Sequence, residues 1–300
     1  NTIGEINIME KAAAKYGVTV QVGQWQRSDP HWQDAVAFVQ SGKLGKIRTV
    51  RTWSYQGWMS SVPVKPDQPV PAGVDYDFWL GPAPLRPFNP NRFHFTFRWF
   101  WDYAGGLMTD WGVHLLDYAL IGMKATVPKS ISAMGGNFGD PSSPQETPDT
   151  LTALYQFDKF SLSWDHAIGI ENGLYKQNHG ISFIGDNGTL ELDRGGWEVM
   201  EEPRSTNKVL VERKKSVDNG LDLHMENFVS VIRSRKTNEL KCSIEEASHI
   251  AMLSQMGNIA YRSGKKLDWN QQKGRFTDEL VNRKYLAAPY HNGYKLPKIG

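Results

Sequence analysis

Apolar residues recur along this chain at two different spacings, and the change from one to the other divides it. Residues 3 to 16 (IGEINIMEKAAAKY) read as an amphipathic helix opened by the tetrad Thr2-Ile3-Gly4-Glu5, which has the form of a capping box, and Gly17 suits its C-cap. VTVQVG at 18–23 is short and β-branched, the composition of a strand buried in a parallel sheet. Together they predict the last α-β unit of an α/β domain. A helix is expected at 31–41, ended by Gly42 and Gly45, and IRTVRTWSY at 47–55 alternates as a strand.

Beyond this point strands dominate. Segments 127–134, 150–157, 160–166, 180–184 and 189–192 are separated by Gly, Pro, Asn and Asp turns, and helical patterns return at 223–235 and 244–263. The pattern predicts an α+β domain: one open, mainly antiparallel sheet with helices covering a face. PSSPQETP at 141–148 reads as a loop and the basic run at 213–215 as a solvated turn. Residues 56–104 form a long connection crowded with Pro and aromatic rings, too rich in apolar residues for disorder. Such rings beside Arg92, His94 and Arg98 would suit a sugar, whose C–H faces stack while its hydroxyls need donors and acceptors; each ring taken singly reads as core.

The stretch WDYAGGLMTDWGVHLLDYAL at 101–120 predicts a mostly buried helix, yet it carries Asp110, His114 and Asp117 at spacings of four and three. At about 3.6 residues per turn these three share one narrow stripe. Buried ionisable groups are costly unless they are paired or used, so the stripe is either a satisfied core histidine between carboxylates or a site.

Composition narrows the alternatives. In 300 residues there are 34 basic and 32 acidic side chains spread evenly, so there is no electrostatic case for nucleic acid. The single cysteine, Cys242, excludes an internal disulfide and a cysteine-based zinc cluster, and no metal site is expected. No apolar run approaches the roughly 20 residues that span a bilayer. The chain starts at Asn1, already inside a fold, so an upstream segment is expected.

YDFWLGPAP (76–84), AGGLMTDWGVHLLD (104–117), HMENFVSVIRSRK (224–236), IAYRSGKKLDW (259–269) and LVNRKYLAAPY (280–290) resemble, in this order, the Gfo/Idh/MocA family, named for glucose-fructose oxidoreductase, inositol dehydrogenase and a rhizopine-catabolism protein. The resemblance implies an N-terminal Rossmann domain for NAD or NADP, of which residues 1–25 would be the tail, and a C-terminal α+β domain over residues 26–300 for substrate and oligomer contacts. Residues 270–300 would pack back on the first domain. It implies a homo-oligomer, dimer or tetramer, joined through the open sheet face.

By the same resemblance His114 is the general base and Asp110 its partner in catalysis, with Asp117 left to helix packing. Arg27, Arg98 and Trp99 match residues near the cofactor in relatives, although the Arg-Trp order is reversed here. His94, Trp101, Tyr103 and Lys176 are expected substrate contacts, and His166 and His179 structural. The implied activity is hydride transfer between a sugar, polyol or glycoside carbinol and nicotinamide. A redox-neutral NAD-dependent glycosidase and a non-catalytic sugar-sensing or oligomerising homologue are the alternatives. The family's Gly-x-Gly-x-x-Gly and Glu-Lys-Pro motifs are missing, and GGNFG at 135–139 leads into a Pro-rich loop instead of a helix. Taken alone, the 300 residues are therefore expected to be inactive. The compartment expected is the cytoplasm, or the periplasm if an export signal lies upstream.

Overall fold

The computed structural model describes residues 1–299. Helix α1 (Ile3–Tyr16) begins as its sequence dictates: Thr2 Oγ1 accepts from Glu5 N and the Glu5 carboxylate accepts from Thr2 N, while Gly17 closes the helix at φ 60°. The strand expected at 18–23 does not form. Its only pairing is a single bridge between Gln21 and Ser243, and Val18 is exposed. A β-branched segment becomes a strand only where a neighbouring backbone offers a ladder, and one residue ahead of a helix is not a ladder. Helix α2 (Pro30–Gln40) follows, with Pro30 at its first turn and Asp29 as its cap.

The main body is a sheet of ten strands: β1 (Thr49–Gln56), β2 (Ser130–Gly136), β3 (Thr150–Gln156), β4 (Ser161–Ile168), β5 (His179–Ile184), β6 (Gly188–Asp193), β7 (Gly196–Glu201), β8 (Val211–Lys215), β9 (Leu267–Asn270) and β10 (Arg275–Phe276). Their order is β10-β9-β2-β3-β4-β1-β5-β6-β7-β8, and every pair is antiparallel except β1 with β4. The expected open, mainly antiparallel α+β sheet is present. Residues 213–215, read from sequence as a turn, belong to β8. Arg213 reaches across the neighbouring strands to Glu191 (2.8 Å), Asp193 (2.6 Å) and Glu198 (3.4 Å). A basic run looks solvated only while the acids that face it across the sheet are out of view.

Alternation along the strands decides what each face meets. Leu151, Ala153, Tyr155, Leu162, Trp164, Phe183, Leu190 and Leu192 point to one side, where they pack with Trp32 of α2 and with residues of the helices that cover the sheet. On the other side Met134 and Leu154 are 79% and 53% exposed. The covering helices are α5 (Gly112–Met123), preceded by the short α4 (Gly106–Asp110), and α7 (Ile244–Ser263); α6 (Gly220–Ser234) packs near the turn at 25–28.

The long connection at 56–104 contains α3 (Tyr76–Leu80) and several 3-10 turns. Most of its rings form two small cores, one around Tyr76, Leu80 and Phe88 and one around Met59, Trp99, Phe100 and Leu107. Helix α8 (Glu279–Tyr285) leads the chain back to α1, where Gly4 N donates to Leu286 O (2.6 Å) and the Tyr290 hydroxyl to Glu5 (2.5 Å). Among the described residues no helix is long and apolar enough to cross a membrane, and no three His, Cys, Asp or Glu side chains converge as a metal cluster.

Candidate active site

The chain enters the site through Gly105 and Gly106. Gly106 lies at φ 64°, and a Cβ there would meet Thr147 at 2.7 Å; a Cβ on Gly105 would fall 2.5 Å from Asn258 Nδ2, which donates to the Gly105 carbonyl. Two residues without side chains let the backbone turn tightly against α7 and start α4. The helix expected to run unbroken is divided at Trp111, which separates α4 from α5 and leaves its indole beside the cleft.

Asp110, at the end of α4, is 34% exposed and makes one ion pair, with Arg98 at 3.2 Å. The Arg98 guanidinium lies 3.7 Å from the Phe95 ring centre. Burial raises the Asp110 pKa, and the charges of Arg98 and Arg194 oppose that rise. One turn on, His114 is pushed down to about 4, first by burial and then by Arg194, so its imidazole is neutral at pH 7. His179, whose ring is 4.9 Å from that of Trp111, is also pushed down to about 4, by burial and then by Arg194.

These side chains share an unusual condition. The buried atoms Arg98 Nε, His114 Nδ1, His179 Nε2 and Arg194 Nε have no hydrogen-bond partner among the described residues. Buried polar atoms are usually paired, and two of these four, on His179 and Arg194, belong to residues packed against Trp111. On another side, His114 lines a mostly apolar groove of about 320 Å³ with Val22, Gly23, Gln24, Val113 and Ser248.

Asp117 is built differently. It is fully buried and receives Arg27 through two bonds, Nη2 at 2.7 Å and Nε at 2.8 Å. Arg27 also pairs with Glu246 at 2.9 Å; burial works against its charge, but Asp117 raises its pKa above the ordinary value. Arg27 is thus committed to protein partners. Trp99 is buried in the small core below the cleft. Trp101 and Tyr103 line a separate cavity of about 460 Å³, together with Arg262 and Tyr290. His94 and Lys176 are exposed, at φ 46° and 63°. Of the residues singled out from sequence, Asp110, His114 and Arg98 come together; Trp101, Tyr103, His94 and Lys176 do not join them.

Arg194 and His179 complete the cluster and were not legible as site residues. Arg194 sits in the Asp193-Arg194-Gly195-Gly196 hairpin between β6 and β7, where an arginine is ordinarily a solvated surface residue. No spacing in the sequence ties it to residue 110. His166 is a core residue: its Nδ1 accepts from Trp164 Nε1 (2.9 Å) and its Nε2 meets the Pro148 carbonyl (3.3 Å).

An open antiparallel sheet backed by helices, with Asp, His and Arg gathered at one helix start, defines an α+β domain with a polar cleft. Residues 22–145 match the family model described as "Oxidoreductase family, C-terminal alpha/beta domain", of the Gfo/Idh/MocA group. That stretch is similar to the domain that the sequence resemblance implied. A search of curated proteins gives no match. Among solved structures, the aldose-aldose oxidoreductase of Caulobacter crescentus, complexed with glycerol, superposes with a TM-score of 0.61 at 18% identity, over 89% of this chain and 69% of that one. An inositol dehydrogenase homologue of Azotobacter vinelandii, complexed with NADH and myo-inositol, gives 0.60 at 14% identity, over 89% and 69%. A super-repressor mutant of Gal80p from Saccharomyces cerevisiae gives 0.61 at 13%, over 89% and 70%. Identities this low establish the fold.

Proposed function

We propose that this chain provides the substrate side of an NAD(P)-dependent oxidoreductase that acts on the carbinol of a sugar, polyol or glycoside. The observation that carries the reading is the pairing of a neutral, unpartnered His114, which lines an apolar groove, with a half-open Asp110 one turn away. A nicotinamide ring is flat and apolar with one amide, and the groove along Val22, Gly23, Gln24, Val113 and Ser248 fits that end of the cofactor. No glycine-rich phosphate loop occurs among the described residues, so they would hold the ring alone. When bound, nicotinamide supplies the two-electron acceptor for the carbinol hydrogen.

The chain's own residues do the rest. His114 takes the hydroxyl proton as the carbonyl forms, a role that requires the neutral imidazole seen here. Asp110, held by a single contact to Arg98, has oxygens left to accept a second substrate hydroxyl and so orient the reacting carbon. Protonating His114 beside Arg194 is unfavourable until negative charge arrives nearby.

The test is NAD(P)H formation by the protein over a panel of sugars and polyols. His114→Ala is expected to lower kcat by about 10²-fold or more, the contribution of a general base, with folding unchanged. Asp110→Asn is expected to raise KM as well. Turnover that survives His114→Ala would sink the assignment, and turnover without accumulating NADH would replace dehydrogenation with a redox-neutral reaction.

A further inference from the structure

The Arg194 guanidinium lies 4.3 Å from the Trp111 ring centre and 5.0 Å from that of Trp25. It is half-buried, and among the described residues it makes no hydrogen bond and no ion pair; its Nε is fully buried and unpartnered. Contacts with tryptophan faces hold a guanidinium in place but do not replace the hydration it has lost. The acids nearest to it are already engaged. Asp193, its neighbour in sequence, accepts from Arg213 (2.6 Å) and from the amides of Gly195 (2.6 Å) and Gly196 (3.0 Å). Asp110 pairs with Arg98.

Two guanidiniums therefore face one carboxylate, and Arg194 is the one left without a partner. The arginine is also fixed from behind. The Asp193 carboxylate ties down the hairpin that carries it, and His31 Nε2 meets the Asp193 carbonyl at 3.0 Å. A half-buried, unpaired guanidinium held against two tryptophan faces beside a proton acceptor has the features of a preformed anion clamp.

We infer that Arg194 binds a carboxylate on the substrate, so that this site takes a sugar acid, a uronate or aldonate, in place of a neutral sugar. The inference rests on reading the cleft around His114 as the substrate site. A planar carboxylate matches the guanidinium fork in two parallel bonds, which orients the sugar as well as holding it. Docked there, it pairs the guanidinium whose charge His114 feels.

Isothermal titration of the protein without cofactor tests this, using D-glucuronate against D-glucuronamide, D-galacturonate against D-galacturonamide, and D-gluconate against sorbitol. At least one acid is expected to bind tenfold or more tightly than its neutral counterpart. Arg194→Gln should reduce that preference to twofold or less with an unchanged circular dichroism spectrum. Arg262→Gln, at the arginine stacked on Trp101 in the separate cavity, should leave it intact. A panel in which no acid outbinds its counterpart overturns the inference, as does a preference that persists in Arg194→Gln. If Arg194→Gln weakens NADP binding and spares the acids, the arginine serves the cofactor and the inference also falls. Because the titration needs neither cofactor nor turnover, it can fail while the oxidoreductase reading stands, and the His114→Ala test can fail while it succeeds.

Discussion

Asp110 and Asp117 stand two helical turns apart in adjoining helices, and each faces an arginine, yet the two pairs differ in nearly every physical respect. Asp117 is 0% exposed and takes Arg27 through two short bonds; Asp110 is 34% exposed and takes Arg98 through one contact at 3.2 Å. Around Asp117 the arginine is fully engaged, by Asp117 and by Glu246. Around Asp110 there is an extra arginine, and four buried nitrogens lack partners. A closed network spends its polar groups on the fold, whereas an open one keeps them available, and the same residue types serve both ends. The stripe of Asp, His and Asp in the sequence is thus two devices: one locks α5 to the turn at 25–28, and the other prepares a cleft.

The largest expected effect separates these devices by stability. Asp117→Ala leaves the Arg27 charge buried, with only the half-exposed Glu246 to offset it, and should cost about 3–5 kcal/mol in urea unfolding. Asp110→Ala should cost about 1 kcal/mol or less, because its ion pair is partly solvated. Equal losses would erase the distinction. Replacing both members, Arg27→Met with Asp117→Leu, should recover much of the first loss, since it is the stranded charge that is expensive.

The histidines divide in the same way. His166 is closed between Trp164 and Pro148, and burial, opposed only weakly by the Pro148 carbonyl and Asp149, pushes its pKa from 6.5 to about 4. The unfolded chain therefore binds its proton first as pH falls. The stability contributed by keeping this ring neutral is fully present above pH 6.5 and is lost progressively down to about pH 4; for such a shift it is on the order of 3 kcal/mol. Unfolding free energies at pH 7 and pH 4.5 should thus differ steeply, and His166→Phe should flatten the slope. An unaltered slope in that variant would show that the acid sensitivity originates elsewhere, His114 and His179 being the other rings pushed down to about 4.

What the sequence disclosed follows from how far each cause acts along the chain. Capping at Thr2–Glu5, the helix at 244–263, and the alternation in β3 and β4 are local, and all were legible. So was the Asp110–His114 spacing, because both residues lie within two helical turns. The failed strand at 18–23 depends on a partner hundreds of residues away, and the misread strand at 213–215 on the adjoining β7 and on acids of β6 and β7. The same limit hid Arg194. It comes to Trp111 and Trp25 only because β6 and β7 are hydrogen-bonded into a sheet whose helices place those rings above the hairpin. The sequence marked where the proton acceptor lies, and the sheet supplied the charge beside it.

The smallest expected effect is the most diagnostic, since it asks whether Arg194 stabilises anything. Arg213, two strand-lengths further on, holds Glu191, Asp193 and Glu198; removing it by Arg213→Met strands buried acids and should cost about 3 kcal/mol or more. Glu191 is pushed up to about 7, by burial and then by repulsion from Asp193, even with Arg213 in place. Arg194 has no such dependants. Arg194→Met keeps the apolar stem against Trp25 and Trp111 and removes a cation that no acid compensates, so its stability should change by less than about 1 kcal/mol, toward a higher Tm. A residue that costs the fold something to keep, and whose loss is felt only when ligand is added, is held for the ligand. If Arg194→Met instead destabilised the protein as much as Arg213→Met, the guanidinium would belong to the closed networks, and the contrast between the two halves of the stripe would no longer extend to it.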